Sequence, residues 1–82
     1  MKTYKVTYTG NSTYYNGFEN LLNSKSEREA VELTFSKVMP QNYFPQDDGS
    51  VKDCDGHTIA EDANDAYFEY DGGYFSAELI NK

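Results

Sequence analysis

Residues 3–9, Thr3-Tyr4-Lys5-Val6-Thr7-Tyr8-Thr9, alternate with period two, and β-branched or aromatic side chains fill nearly every position. Tyr4, Val6 and Tyr8 face one side while Thr3, Lys5, Thr7 and Thr9 face the other, which predicts a half-buried strand. Gly10-Asn11-Ser12 breaks that strand, and Asn16-Gly17 supplies a strong hairpin turn signal. Residues 18–22 fit either a return strand or a short turn of helix, and the strand is favoured. Ser26-Glu27-Arg28-Glu29 then forms a capping box, in which the serine hydroxyl accepts from the N3 amide and Glu29 reaches back to the cap. Ala30, Val31, Phe35, Val38 and Met39 follow at helical spacing, with Leu33 flanking the stripe. Pro40 stops the periodicity, because the residue before a proline avoids the α region. The pattern predicts one amphipathic helix over 27–38.

Residues 41–49 read as a loop containing Pro45 and an Asp47-Asp48-Gly49 turn. Residues 51–60 carry little apolar content and fit a short strand pair about Asp55-Gly56, followed by a polar, exposed stretch at 61–65. The chain then offers a hairpin of 66–70 and 74–80 around Asp71-Gly72-Gly73. The loop residues are either Gly72-Gly73 or Asp71-Gly72; the two registers differ by two and leave the faces unchanged. Phe68, Tyr70, Phe75, Ala77 and Leu79 share the core side. Tyr67, Glu69, Asp71, Tyr74, Ser76 and Glu78 share the other. The expected fold is α+β: a small antiparallel sheet of three to five strands with one amphipathic helix packed on it, in the order β-β-α-β-β.

At 82 residues the chain has room for one small domain over 1–82. Eight Tyr and five Phe argue against disorder despite the net charge of −7. One Cys excludes an internal disulfide, and one Cys with one His excludes a zinc site built from those side chains. No apolar run has the length of a membrane span, and no signal-peptide core precedes the first strand. The expectation is a soluble protein of a reducing cytoplasm. Charge is distributed unevenly. Residues 1–46 hold five Lys or Arg against four Glu, whereas 47–78 hold ten Asp or Glu against Lys52 alone. The second segment therefore carries −9, a field that repels nucleic acid and steers cationic partners.

Three groups of residues invite a chemical reading. Aligning Gly56 with the invariant sixth position of a calcium loop puts Asp53 and Asp55 at positions three and five. Val51 then falls on the first ligand position and Asp62 on the last, so the loop reads instead as an Asp-Gly turn. Cys54 and His57 stand three apart, but the acids beside them would raise a thiol pKa rather than lower it. Glu69 and Asp71 lie about 7 Å apart along one strand face, a spacing that a glycosidase could use only with a concave site around it. No catalytic residue, metal or cofactor is expected.

Tyrosines interleaved with acids remain. Tyr14, Tyr15, Tyr43, Tyr67 and Tyr74 exceed what a core already holding Tyr4, Tyr8 and Tyr70 can take, and exposed tyrosines favour protein interfaces. The candidate partner-binding residues are Asp47, Asp48, Asp53, Asp55, Glu61, Asp62, Asp65, Tyr67, Glu69, Asp71 and Tyr74. A cysteine-poor chain of this length, with β-β-α-β-β order around 26–38 and an acidic patch within 47–78, resembles small acidic phage-encoded inhibitors of the anti-CRISPR and DNA-mimic type. That resemblance is one of format and carries no residue roles. It implies a host-cell cytoplasmic, non-enzymatic protein that occludes a basic surface on a nucleic-acid-binding protein or complex, without touching nucleic acid or membrane itself. The alternative is an intracellular accessory or adaptor domain whose acidity only solubilises it.

Overall fold

The computed structural model describes residues 1–81. Its elements are β1 (Lys2–Thr9), β2 (Glu19–Ser24), α1 (Glu27–Val38), a 3-10 turn (Pro40–Asn42), β3 (Phe44–Pro45), β4 (Val51–Lys52), β5 (Thr58–Ala60), β6 (Phe68–Tyr70) and β7 (Gly73–Asn81). Two antiparallel sheets result, one ordered β2-β1-β7-β6 and the other β3-β4-β5. The α+β class and the expected order of hairpin, helix and hairpin are present, but seven strands divide into sheets of four and three where one sheet of three to five was expected. Phe44–Pro45, read as loop, pairs with β4 as a short edge strand. Proline cannot donate to a ladder, so an edge is where it is tolerated.

The helix has the predicted limits. Ser26 caps it by accepting from Glu29 N at 3.1 Å, and the chain leaves the helix at Met39, immediately before Pro40. Ala30, Val31 and Phe35 are fully buried, together with Thr34, and Leu33 stays exposed on the flank. Across the sheet, Tyr4, Val6, Tyr8, Phe68 and Phe75 are buried on the helix-facing side, as alternation requires. Val51, Ile59 and Ala60 of the second sheet join the same core. The opposite face of the four-stranded sheet is open, with Leu21, Tyr74, Glu78 and Ile80 exposed.

The two longest strands pair with each other. Val6 lies opposite Ala77 and Tyr8 opposite Phe75, so the two ends of the chain meet at the centre of the sheet. In the β6–β7 hairpin Tyr70 pairs with Gly73 and Glu69 with Tyr74, which makes Asp71-Gly72 the loop. Both loop residues have positive φ, 52° and 73°, the geometry whose twist matches the flanking strands. The Gly72-Gly73 register is thereby excluded. Asp71 sits in the turn rather than on the strand face.

Tyr8 ties this hairpin to the first loop. Its hydroxyl donates toward Tyr70 O (2.8 Å) and Asp71 O (3.1 Å) and accepts from Ser12 N (3.3 Å). Gly10 and Gly73 pass so close that a Cβ on either would collide with the other's backbone and with the Tyr8 hydroxyl. Tyr15, counted among the surplus tyrosines, packs edge-on against Phe18, Tyr70 and Phe75. No helix among the described residues is long and apolar enough to cross a membrane.

Candidate functional site

β5 and β6 are the adjoining edges of the two sheets, in contact but not hydrogen-bonded neighbours. A groove runs along this junction and opens into two recesses. The larger, about 410 Å³, is lined by Asp53, His57, Ile59, Glu69 and Asp71 among others. The smaller, about 240 Å³, is lined by Thr58, Ile59, Glu61, Asp65, Tyr67 and Glu69. Glu69 borders both. Together the recesses gather five carboxylates, and neither is lined by Lys or Arg. Ile59, buried at the groove, is the apolar residue that sequence reading passed over; its place depends on how the two sheets meet.

Local chain chemistry explains the positions of several acids of this segment, inside the groove and outside it. Asp48 Oδ1 accepts from Ser50 N (2.9 Å) and Ser50 Oγ (2.6 Å). The Ser50 hydroxyl, followed by its amide, holds the Asp48 carboxyl below its ordinary pKa. Asp53 Oδ1 accepts from the amides of Asp55 and His57, both at 2.9 Å. Desolvation works against ionisation of Asp53, but those amides and the His57 charge outweigh it and lower its pKa. Asp62 accepts from Asn64 N at 2.8 Å, and Asp65 accepts from both Glu61 N and Tyr67 N at 3.0 Å. Four of the predicted partner-binding acids thus also shape turns. Asp47, Asp55, Glu61, Glu69 and Asp71 are exposed.

The structure brings Asp53, Glu61, Asp65, Glu69 and Asp71 to the groove. It leaves Asp47 and Asp48 at a separate turn, Asp62 on its own Asx turn, and Asp55 at the tip of the β4–β5 hairpin. Tyr67 and Tyr74 meet with ring centroids 5.3 Å apart at 83°, on the open side of the sheet beside Glu69. That face is not uniformly acidic, because Lys5 lies opposite Glu78 in register. Asp53, Asp55 and His57 place one ligand atom each within 4.8 Å of one another. Three donors could contact a divalent cation, against the six to eight oxygens calcium takes. Cys54 and His57 are both exposed, and His57 Nδ1 faces Asp53 Oδ2 at 3.5 Å rather than the thiol.

One positioning residue has no sequence signal. Arg28 reaches from α1 over the Phe68 ring, its guanidinium carbon 5.0 Å from the centroid. Its Nη1 donates to the carbonyls of Asp62 and Asp65, the latter at 3.2 Å, and Nη2 donates to Gly49 O at 3.2 Å. The helix therefore fixes the backbone of the acidic loop 34 to 37 residues away. No family model, curated protein or solved structure matches this chain.

Proposed function

We propose that this chain is a non-enzymatic binding protein whose acidic groove occludes a basic, nucleic-acid-handling surface on a partner protein. The observation that carries the reading is the convergence of five carboxylates along the β5–β6 junction, with no Lys or Arg lining it. Carboxylates there stand in for phosphates, and the exposed rings of Tyr67 and Tyr74 supply anchoring area beside them. The exposed, unaligned Cys54 and His57 fit a binding role better than a catalytic one. A second reading, in which the acidity only solubilises an adaptor domain, is favoured by Asp48, Asp53, Asp62 and Asp65, whose carboxylates hold turns.

Displacement separates the two. Labelled duplex DNA or RNA is bound by each of a panel of basic nucleic-acid-binding proteins, and this protein is titrated in. Displacement of at least one complex, weakening as salt rises, is the expected result, since exposed charges are screened over about 8–10 Å. The protein alone leaves the labelled strands unshifted. Glu61→Lys with Glu69→Lys abolishes displacement, while Glu19→Lys with Glu27→Lys, on the far sheet edge and the helix, does not. Asp71 is unsuited to reversal because its φ of 52° would strain a lysine. Equal sensitivity to both pairs, or no displacement at all, leaves the acidity as a solubilising surface.

A further inference from the structure

We infer that the exposed Tyr67–Tyr74 pair, with the recess beside Tyr67, is an anchoring site for an arginine side chain of the partner. The inference rests on the binding role proposed above and adds to it the chemistry of the contact. Carboxylates alone would attract lysine and arginine alike, with only the paired fork to favour arginine. The aromatic pair changes that. Tyr67 is 55% exposed, and its perpendicular packing on Tyr74 fixes the orientation of both rings on the open face. Glu69 pairs with Tyr74 across the hairpin and lies two residues beyond Tyr67, so its carboxylate is on the same side as both rings.

The recess that Tyr67 walls is about 240 Å³, smaller than the roughly 300–1,000 Å³ of a small-molecule site. It suits one long side chain. Buried Ile59 offers an apolar contact for a methylene stem, and Glu61, Asp65 and Glu69 supply oxygens around it. Both Asp65 oxygens already accept backbone amides, which leaves Glu61 and Glu69 as the free carboxylates. A guanidinium is planar: it stacks on an aromatic face and donates a paired fork to a carboxylate at the same time. An ammonium presents a hydrated point charge, which pairs with a carboxylate but makes neither the planar stack nor the fork. Arg28, stacked over Phe68 with its nitrogens on carbonyl oxygens, uses the same combination inside this protein.

The test uses two short peptides of equal charge, one alternating Lys with Gly and the other alternating Arg with Gly. Each is titrated into the full chain and followed by calorimetry and by the Tyr67 and Tyr74 ring resonances. The arginine peptide is expected to bind about two- to five-fold more tightly, the range of an exposed cation–π contact, and to shift both rings. Tyr67→Leu, at an exposed position, weakens the arginine peptide more than the lysine peptide and so reduces that preference, and Tyr67→Phe retains it. Glu69→Gln weakens both peptides. Equal affinity for the two peptides, or an arginine preference undiminished by Tyr67→Leu, overturns the anchoring site and leaves the acidic groove standing. Binding of neither peptide overturns the groove reading and this one together.

Discussion

Arg28 and Tyr43 show how single residues hold the acidic segment to the helix. Arg28 satisfies carbonyls of Gly49, Asp62 and Asp65, three points on two loops that make few other bonds to α1. Arg28→Met keeps an unbranched side chain but removes the guanidinium from over Phe68 and leaves those oxygens without their donor, and it should lower stability by about 2–3 kcal/mol in urea unfolding. Arg28→Lys should recover little, because an ammonium cannot span the fork. Tyr43 donates to Glu32 Oε2 at 2.7 Å. Burial, then the bond and charge of Glu32, push its hydroxyl up from 10.0 to about 12. A raised folded pKa means the protonated form is preferred in the folded protein, so this contribution is complete below about pH 10. It is lost as pH climbs toward 12. The stability advantage of the native chain over Tyr43→Phe should therefore be constant through neutral pH and shrink across that alkaline window, as read by paired urea titrations. An advantage that grows with pH would mean the hydroxyl ionises first.

Elements whose ends are written locally were legible, and those made by distant pairing were not. The helix is read correctly from Ser26 to Pro40 because a capping hydroxyl and a proline act within a few residues of themselves. Ser26→Ala should accordingly cost about 1 kcal/mol with no change in fold, measured by thermal melting with far-UV circular dichroism. The core faces of β1 and the last hairpin were legible for a similar reason, since alternation needs no knowledge of the partner strand. β3 was invisible: two residues cannot show a period, and one of them is proline. The split into two sheets was hidden because it is decided where β5 and β6 meet without hydrogen bonds. The candidate site divides along the same line. Its acids could be counted from the sequence, but which of them converge follows from that junction. The Asx-turn signals at Asp48, Asp53 and Asp62 were present in the sequence, and they identify acids with a local structural use. Arg28 gave no signal, because its partners are carbonyls far along the chain.

At the scale of the molecule, a slab of 36 × 31 × 17 Å carries −9 within residues 47–78 and near neutrality elsewhere. Ion pairs do little to offset this, since Arg28–Glu32 and His57–Asp53 are the pairs among the described residues. Self-repulsion at the β5–β6 groove therefore opposes folding, and it opposes it most when salt is low. The melting temperature should rise as monovalent salt is raised from a few millimolar toward physiological strength, where screening acts over about 8 Å. Glu61→Gln with Glu69→Gln should raise the low-salt melting temperature and flatten the salt dependence, because both carboxylates are exposed and neither caps a turn. Neutralising Asp48 or Asp53 should have the opposite effect. Their lowered pKa values mean that the ionised form stabilises the fold, a contribution present above the ordinary carboxylate range and lost as pH falls below it. Salt-insensitive melting would show that the groove acids do not repel one another appreciably, and stabilisation by Asp48→Asn would show that its carboxylate does not hold the turn at Ser50. The contrast between the two sets of acids bears on function. Acids that stabilise their own turns need no partner to explain them, whereas acids whose removal stabilises the chain are retained at a cost to folding. A cationic surface docking on the groove would relieve that cost, so the residues that most weaken the isolated protein should be those that most strengthen its complex.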